Sequence, residues 1–201
     1  MQDGSSSEPA DATNDARVRL VTGMLEAVEA AGYAGTTIAD VARLARVSKR
    51  TFYEHFDSKE QCFLAAYVAA SDEMLKAIEM AAETATDWNA RVDACVLTYL
   101  SLLEANRNLT RVFLLEIHSA GPAAVSARRG VHQRFADQLR GLVAKARKTL
   151  PELKPLSPKL AQGLVGGINE LVLVALEQDG ERLGALAGAA SELVRAVVMR
   201  A

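Results

Sequence analysis

Lys49, Arg50, Thr51, Tyr53 and His55 stand close behind Ser48, with Arg43 and Arg46 just ahead of them. Between Val41 and Tyr53 no acidic residue interrupts these cations. Lysine and arginine neutralise phosphates and release their counterions. Arginine also offers a fork that matches the guanine edge in the major groove. Threonine and tyrosine hydroxyls donate to phosphate oxygens. The chemistry of this cluster is the gripping of a nucleic-acid duplex. The formal net charge of the whole chain is only -2, so the attraction must be local rather than that of a general polyanion binder.

The flanking residues are those needed to hold such a cluster. Thr37 caps a helix, with Asp40 completing a capping box, and Ile38, Val41, Ala42 and Ala45 form its inward stripe. Arg46-Val47 is the turn. Ser48 caps the next helix, which ends near Phe56, with Val47 and Phe52 packed beneath it and Ala42 small enough to let the pair approach. Two short helices across a tight turn lay the second into the major groove, with its N-terminal end toward the base edges. Ser58 and Gln61 then start a long helix reaching about Thr84, where Lys59 and free backbone N–H groups suit an anion. The competing reading is a solvated basic face on a helical bundle.

With 201 residues, half of them apolar and few aromatic, the chain can bury a substantial core and favours helix over sheet. The expected fold class is all-α with about nine helices and no repeat. A polar tail, 1–14, is expected to be disordered. Helices follow at about 15–31, 37–45, 48–56, 58–84, 87–105, 108–119, 122–147, 158–178 and 182–200, with Gly32 stopping the first. Cys62 and Cys95 read as free thiols in a reducing cytoplasm. No N-terminal stretch has a signal-peptide core, and the apolar run 171–176 is too short to span a bilayer. The expected location is cytoplasmic.

Residues from about Asp15 to Ser71 resemble the DNA-binding domain of the tetracycline-repressor (TetR) family of bacterial transcription regulators. The resemblance is carried by Gly32 to Ala42 (GYAGTTIADVA), Val47 to Phe56 (VSKRTFYEHF) and Ser58-Lys59-Glu60. It implies that Thr37, Ser48, Tyr53, His55 and Lys59 contact the DNA backbone, while Lys49, Arg50 and Thr51 face bases. Read from the residues alone, His55 is equally a helix-end cap or packing residue. One departure stands out: the family usually has glycine in the turn where this chain has Arg46. If that position is left-handed, arginine costs roughly 1–2 kcal/mol there, offset by an extra cation beside the phosphates.

The remainder, 72–201, is expected to be a helical ligand-binding and dimerisation domain. The helix 158–178 is apolar nearly all round, and glycines four apart recur at Gly163/Gly167 and Gly184/Gly188. A symmetric four-helix interface built from Gly163, Leu164, Gly167, Ile168, Leu171, Leu186, Leu193 and Val197 is expected; the alternative is that both last helices are monomer core. The helices over 87–147 are expected to enclose an effector pocket lined by Trp88, Tyr99, Phe113, Glu116, His118 and Phe135, or else these are ordinary core and rim residues. The resemblance implies a homodimer on a palindromic operator, most simply a repressor released by a small, mainly apolar effector. The rival is an effector-independent DNA-binding dimer controlled by a protein partner or by concentration. A helical enzyme is the remote alternative. The three histidines come with no HExxH, nucleophile elbow, P-loop or dinucleotide fingerprint, and Glu116 and His118 diverge on a helix. No catalytic residue, metal or cofactor is expected.

Overall fold

Side-chain caps fix where most of the helices start. A computed structural model describes residues 8–178 and 181–199, which form nine α-helices and no strand among the described residues. These are α1 (Glu8–Gly35), α2 (Ile38–Leu44), α3 (Lys49–His55), α4 (Lys59–Thr84), α5 (Trp88–Ala105), α6 (Arg107–Arg111), α7 (Pro122–Ala146), α8 (Pro158–Glu177) and α9 (Ala187–Val198). Thr37, Ser48, Ser58, Asp87 and Ser157 each accept a hydrogen bond from a first-turn backbone N–H. Gly32, at φ 69, breaks the helical path of α1 where the sequence placed its stop.

Three boundaries differ from expectation. Residues 8–14 continue α1 as helix instead of a disordered tail, because a helix already nucleated by its packed part extends cheaply; residues 1–7 lie outside the described residues. The helix expected over 108–119 is α6 followed by a π-helical turn, Val112–Glu116, and a 3₁₀ turn, Ile117–Ala120. The last helix is likewise preceded by a 3₁₀ turn, Leu183–Leu186.

Two apolar clusters organise the chain. The first joins Leu20, Met24, Val28, Val41, Phe52 and Phe63 to Phe113, Ile117 and Val131. The second gathers α5, α7, α8 and α9 around Leu100, Val143, Val172, Leu183 and Val198. The first cluster therefore crosses from the N-terminal helices into the bundle, and α4 runs unbroken past residue 71. A window of 18 residues within the 20-residue α8 reaches a mean hydropathy of 1.4, so this helix is long and apolar enough to cross a membrane, unlike the short run 171–176. Core helices of soluble proteins pass the same test, and α8 packs on α7 and α9. Its C-terminal carbonyls accept from Arg107 (to Ala175 O, 3.4 Å) and Arg111 (to Leu176 O, 2.5 Å), cations placed at the negative end of the helix.

The approach of α1 to α2 depends on Gly23. A Cβ there would lie 2.9 Å from the Val41 carbonyl oxygen and 3.0 Å from the Ala45 nitrogen, both backbone atoms that cannot rotate away. Gly23→Ala gains up to about 1 kcal/mol of helix propensity but incurs overpacking of about 1–3 kcal/mol. The expected result is a net loss of about 1 kcal/mol, read as a lower urea midpoint at unchanged slope.

Candidate nucleic-acid interface and interior cavity

The second helix of the turn motif is seated by one side and presented by the other. Phe52 is fully buried and meets Phe56 at 5.8 Å between ring centroids. On the outer side Lys49, Arg50 and Tyr53 are exposed, and Thr51 and His55 half-buried. Ser48 Oγ accepts from Thr51 N at 3.0 Å and bonds Thr51 Oγ1 at 2.9 Å, which fixes the start of α3. Arg50 Nε reaches Glu54 at 3.2 Å, but its side chain is 90% exposed. Such a solvated pair is weak and releases the guanidinium easily. Thr37 and Asp40 form the expected capping box, and those hydrogen bonds from Thr37 hold the Asp40 carboxyl below its usual range.

The turn answers the question Arg46 raised. Val47 N donates to Ala42 O at 2.9 Å and Arg46 N to Arg43 O at 3.2 Å, the paired bonds of a Schellman helix end. That motif places the intervening residue in the left-handed region, and Arg46 is there at φ 54. The turn keeps its regular form and arginine bears the strain.

Lys59 has a role the sequence did not suggest. Its ammonium donates to Tyr33 O at 2.9 Å and Thr36 O at 3.0 Å and sits 4.3 Å above the Tyr33 ring centroid. Two of its three donors thus tie the start of α4 to the end of α1. Similarly, the His55 carbonyl accepts from Arg17, whose guanidinium lies 4.4 Å over the Phe56 ring.

Behind this unit lies a cavity of about 440 Å³ walled by α4, α5, the 109–114 segment, α7 and α8. Trp88, Tyr99, Phe113 and Phe135 line it as expected. Glu116 and His118 do not. The irregular π and 3₁₀ winding at 112–120 places Glu116 outward toward Gly32, and His118 on a separate surface concavity. The walls are largely apolar, with one hydrogen-bonded chain crossing them. Tyr99 Oη donates to Asn169 Oδ1 at 2.6 Å, and Asn169 Nδ2 lies 3.2 Å from His132 Nε2. Since Asn169 offers His132 its amide hydrogen, Nε2 accepts and the neutral ring carries its proton on Nδ1. Burial, then the charge of Arg128, pushes His132 below its ordinary pKa, and burial pushes Tyr67 up to about 12. Trp88 Nε1 is buried without an acceptor among the described residues.

Sequence reasoning missed Tyr67, Met74, Cys95, His132 and Asn169 in this wall. Asn169 carried a signal, as an amide set among the apolar residues of α8. Cys62 and Cys95 are free thiols, the former pushed up to about 12 by burial.

The expected interface residues divide. Leu164 is buried in the single chain, and Ile168, half-buried, lines the cavity. Gly167 faces Leu193 within the chain, where a Cβ would approach 3.2 Å. Leu186, Leu193 and Val197 pack partly on the second cluster. The helical phase of α8 leaves Gly163 open and Leu171 half-exposed, and adds Leu160 and Val174 to the outer face.

Relieving the left-handed arginine tests the turn. Arg46→Gly is expected to raise stability by about 1 kcal/mol, less than the full strain because glycine also loosens the unfolded chain. The check is a shift of the urea midpoint to higher concentration.

Residues 24–66 match the family model for bacterial regulatory proteins, tetR family. The HTH-type transcriptional regulator TcmR of Streptomyces glaucescens is 38% identical over 64 residues, 32% of this chain and 28% of that protein. The fold is similar over nearly its whole length to the fatty acid degradation regulator FadR of Bacillus halodurans (TM-score 0.75, 19% identity, 92% of this chain and 97% of that one). It is also similar to FadR of Bacillus subtilis in complex with stearoyl-CoA (TM-score 0.72, 18% identity, 90% and 98%). PfmR of Thermus thermophilus, a TetR family transcriptional regulator, has the fold too (TM-score 0.61, 19% identity, 90% and 100%). At such identities the structural likeness speaks for the fold alone. The family match lies on the helix-turn-helix whose geometry is described above, and it marks residues 24–66 as similar to bacterial regulatory proteins of the tetR family.

Proposed function

We propose that this protein is a sequence-specific DNA-binding transcriptional regulator, a homodimeric repressor released from a palindromic operator by a small, mainly apolar effector. The observation that carries the DNA-binding part is α3 itself. Its inner residue Phe52 is fully buried while Lys49, Arg50 and Tyr53 project from a Ser48-capped N-terminal end. A helix so presented offers a base-reading end and a phosphate-contacting flank. Thr37, Ser48, Tyr53 and His55 are assigned to the backbone, Lys49, Arg50 and Thr51 to base edges, and Arg46 to the phosphates beside the turn. Lys59 retains one donor for the same strand.

The cavity supports the effector part, being large, apolar and crossed by few polar groups. The fold neighbour bound to stearoyl-CoA carries an effector with a long apolar chain, which favours the same class here. The outer face of α8, with Leu160, Gly163 and Val174 unpartnered, supports dimerisation. Release requires the cavity to move the reading unit, and Phe113 is the residue placed for that. It stands in the cavity wall and meets Tyr67 at 4.9 Å and Phe63 at 5.6 Å.

Lys49→Ala and Arg50→Ala are each expected to weaken operator binding by about 1–3 kcal/mol and relax preference at particular base pairs. Tyr53→Phe should weaken binding to all sequences alike. Footprinting on sites selected from random DNA reads both, and unchanged footprints in all three variants would exclude the assignment. A thermal-shift screen identifies compounds that bind the cavity. Phe113→Leu should still bind such a compound but fail to release the operator. A screen in which ligands bind but never release DNA favours control by a protein partner or by concentration.

A further inference from the structure

Along α7 the cavity wall runs through Leu142, Leu139, Phe135 and His132. One helical turn toward the N-terminus the chemistry changes. Arg128 and Arg129 line a second concavity, of about 360 Å³, with His118 from the 3₁₀ turn and Gln133 and Gln162 beside them. No acidic side chain lines it. Among the described residues neither arginine enters an ion pair, although Arg134 and Arg140 on α7 itself, Arg107 on α6 and Arg195 on α9 all do. Arg128 Nε is moreover buried and finds no acceptor among the described residues. A desolvated guanidinium donor without a partner is unfavourable unless an anion arrives to take it. His132 belongs to both linings, so the basic concavity and the apolar cavity meet at its ring.

We infer that the effector is an amphiphile, whose apolar part fills the cavity past Phe135 and whose anionic head, a carboxylate or phosphate, is held by Arg128, Arg129 and His118. This rests on the reading of the cavity as the effector site. The His132 ring separates the two environments, its Asn169 bond keeping it oriented, so head and tail enter with fixed polarity. An uncharged apolar compound of the same length keeps the tail contacts and loses the charge-assisted bonds.

Trp88 is the chain's single tryptophan and lines the cavity, so its fluorescence reports occupancy. The full chain is titrated with decanoate, decyl phosphate and decanol, and the two charged probes separate a carboxylate head from a phosphate head. At least one of them is expected to bind about tenfold or more tightly than decanol, as one or two charge-assisted hydrogen bonds require. Arg129→Met, at an exposed position, and Arg128→Met are expected to abolish that preference while leaving decanol binding unchanged. Should Arg128→Met fail to fold, Arg129→Met and His118→Gln carry the comparison. Equal binding of all three probes, or a preference that survives the substitutions, overturns the head site and leaves the cavity reading intact. Binding of none of them overturns both.

Discussion

Phe113 packs against Tyr67 and Phe63, Phe63 stacks on Tyr33 at 4.5 Å, and the Tyr33 ring carries the Lys59 ammonium. This run of contacts starts in the cavity wall and ends at the junction of α1 and α4, behind the reading helices. The N-terminal unit therefore has no core of its own that ignores the bundle. Aromatic pairs of this kind are each worth about 0.5–1.5 kcal/mol beyond their buried area, and they are close-packed. A packed interior shifts between discrete arrangements instead of yielding continuously. Displacing Phe113 from the cavity side thus forces Phe63 or Tyr67 to repack. Two carboxylates brace the same segment. Glu29 accepts from Leu109 N at 2.7 Å, and Glu60 lies against Gly121 at the start of α7. Between those braces the chain takes π and 3₁₀ turns, windings with poorer hydrogen-bond geometry than an α-helix. A segment held at both ends and loosely wound between them is the part of this fold best able to change.

The legible features were local ones. Thr37, Ser48 and Ser58 announce helix starts because a short oxygen-bearing side chain followed by a periodic stripe has few other uses. Gly32 announces a stop for a similar reason. What escaped depended on the phase of winding or on partners distant in sequence. A single helix over 108–119 is the sequence expectation, and the π and 3₁₀ turns that replace its second half leave Glu116 and His118 outside the cavity wall. Leu164 and Ile168 lie on a helix that is apolar nearly all round, where only a narrow exposed stripe of Lys159, Gln162, Glu170 and Glu177 marks the outward side. Lys59 looked like a free cation because its acceptors, the carbonyls of Tyr33 and Thr36, are more than twenty residues upstream. Backbone acceptors leave no trace in a sequence.

Arg46 shows a different relation between sequence and fold. The Schellman bonds to Ala42 and Arg43 set the position's conformation, so the residue there can only accept it. Glycine would be the stable choice. Arginine at φ 54 adds a cation at the turn, beside Arg43 and ahead of Lys49 and Arg50, in a chain whose net charge is -2. The strain of about 1–2 kcal/mol is comparable to one good phosphate contact. On this reading stability is exchanged for binding at a place where the fold tolerates the loss. The side-chain caps at Thr37 and Ser48 hold the starts of the two helices that the strained residue joins.

The dimer proposal changes character once the phase of α8 is known. Leu164 is buried within the chain, so an interface through it would have required opening the core. The outer face runs instead through Leu160, Gly163 and Val174, with Leu171 half-exposed at its side. Only a third of the apolar window of α8 is buried within the chain. Leaving such a surface in water is unfavourable by about 25 cal/mol for each Å² of it. A glycine on that stripe lets a second helix approach closely. Because Ile168 lies on the same helix and lines the cavity, a partner packed on the outer face would fix one wall of the effector site. The two cavities of a dimer would then share a rigid centre. Movement induced by an effector would be directed away from that centre, toward Phe113 and the reading helices, which must be respaced for the operator to be released.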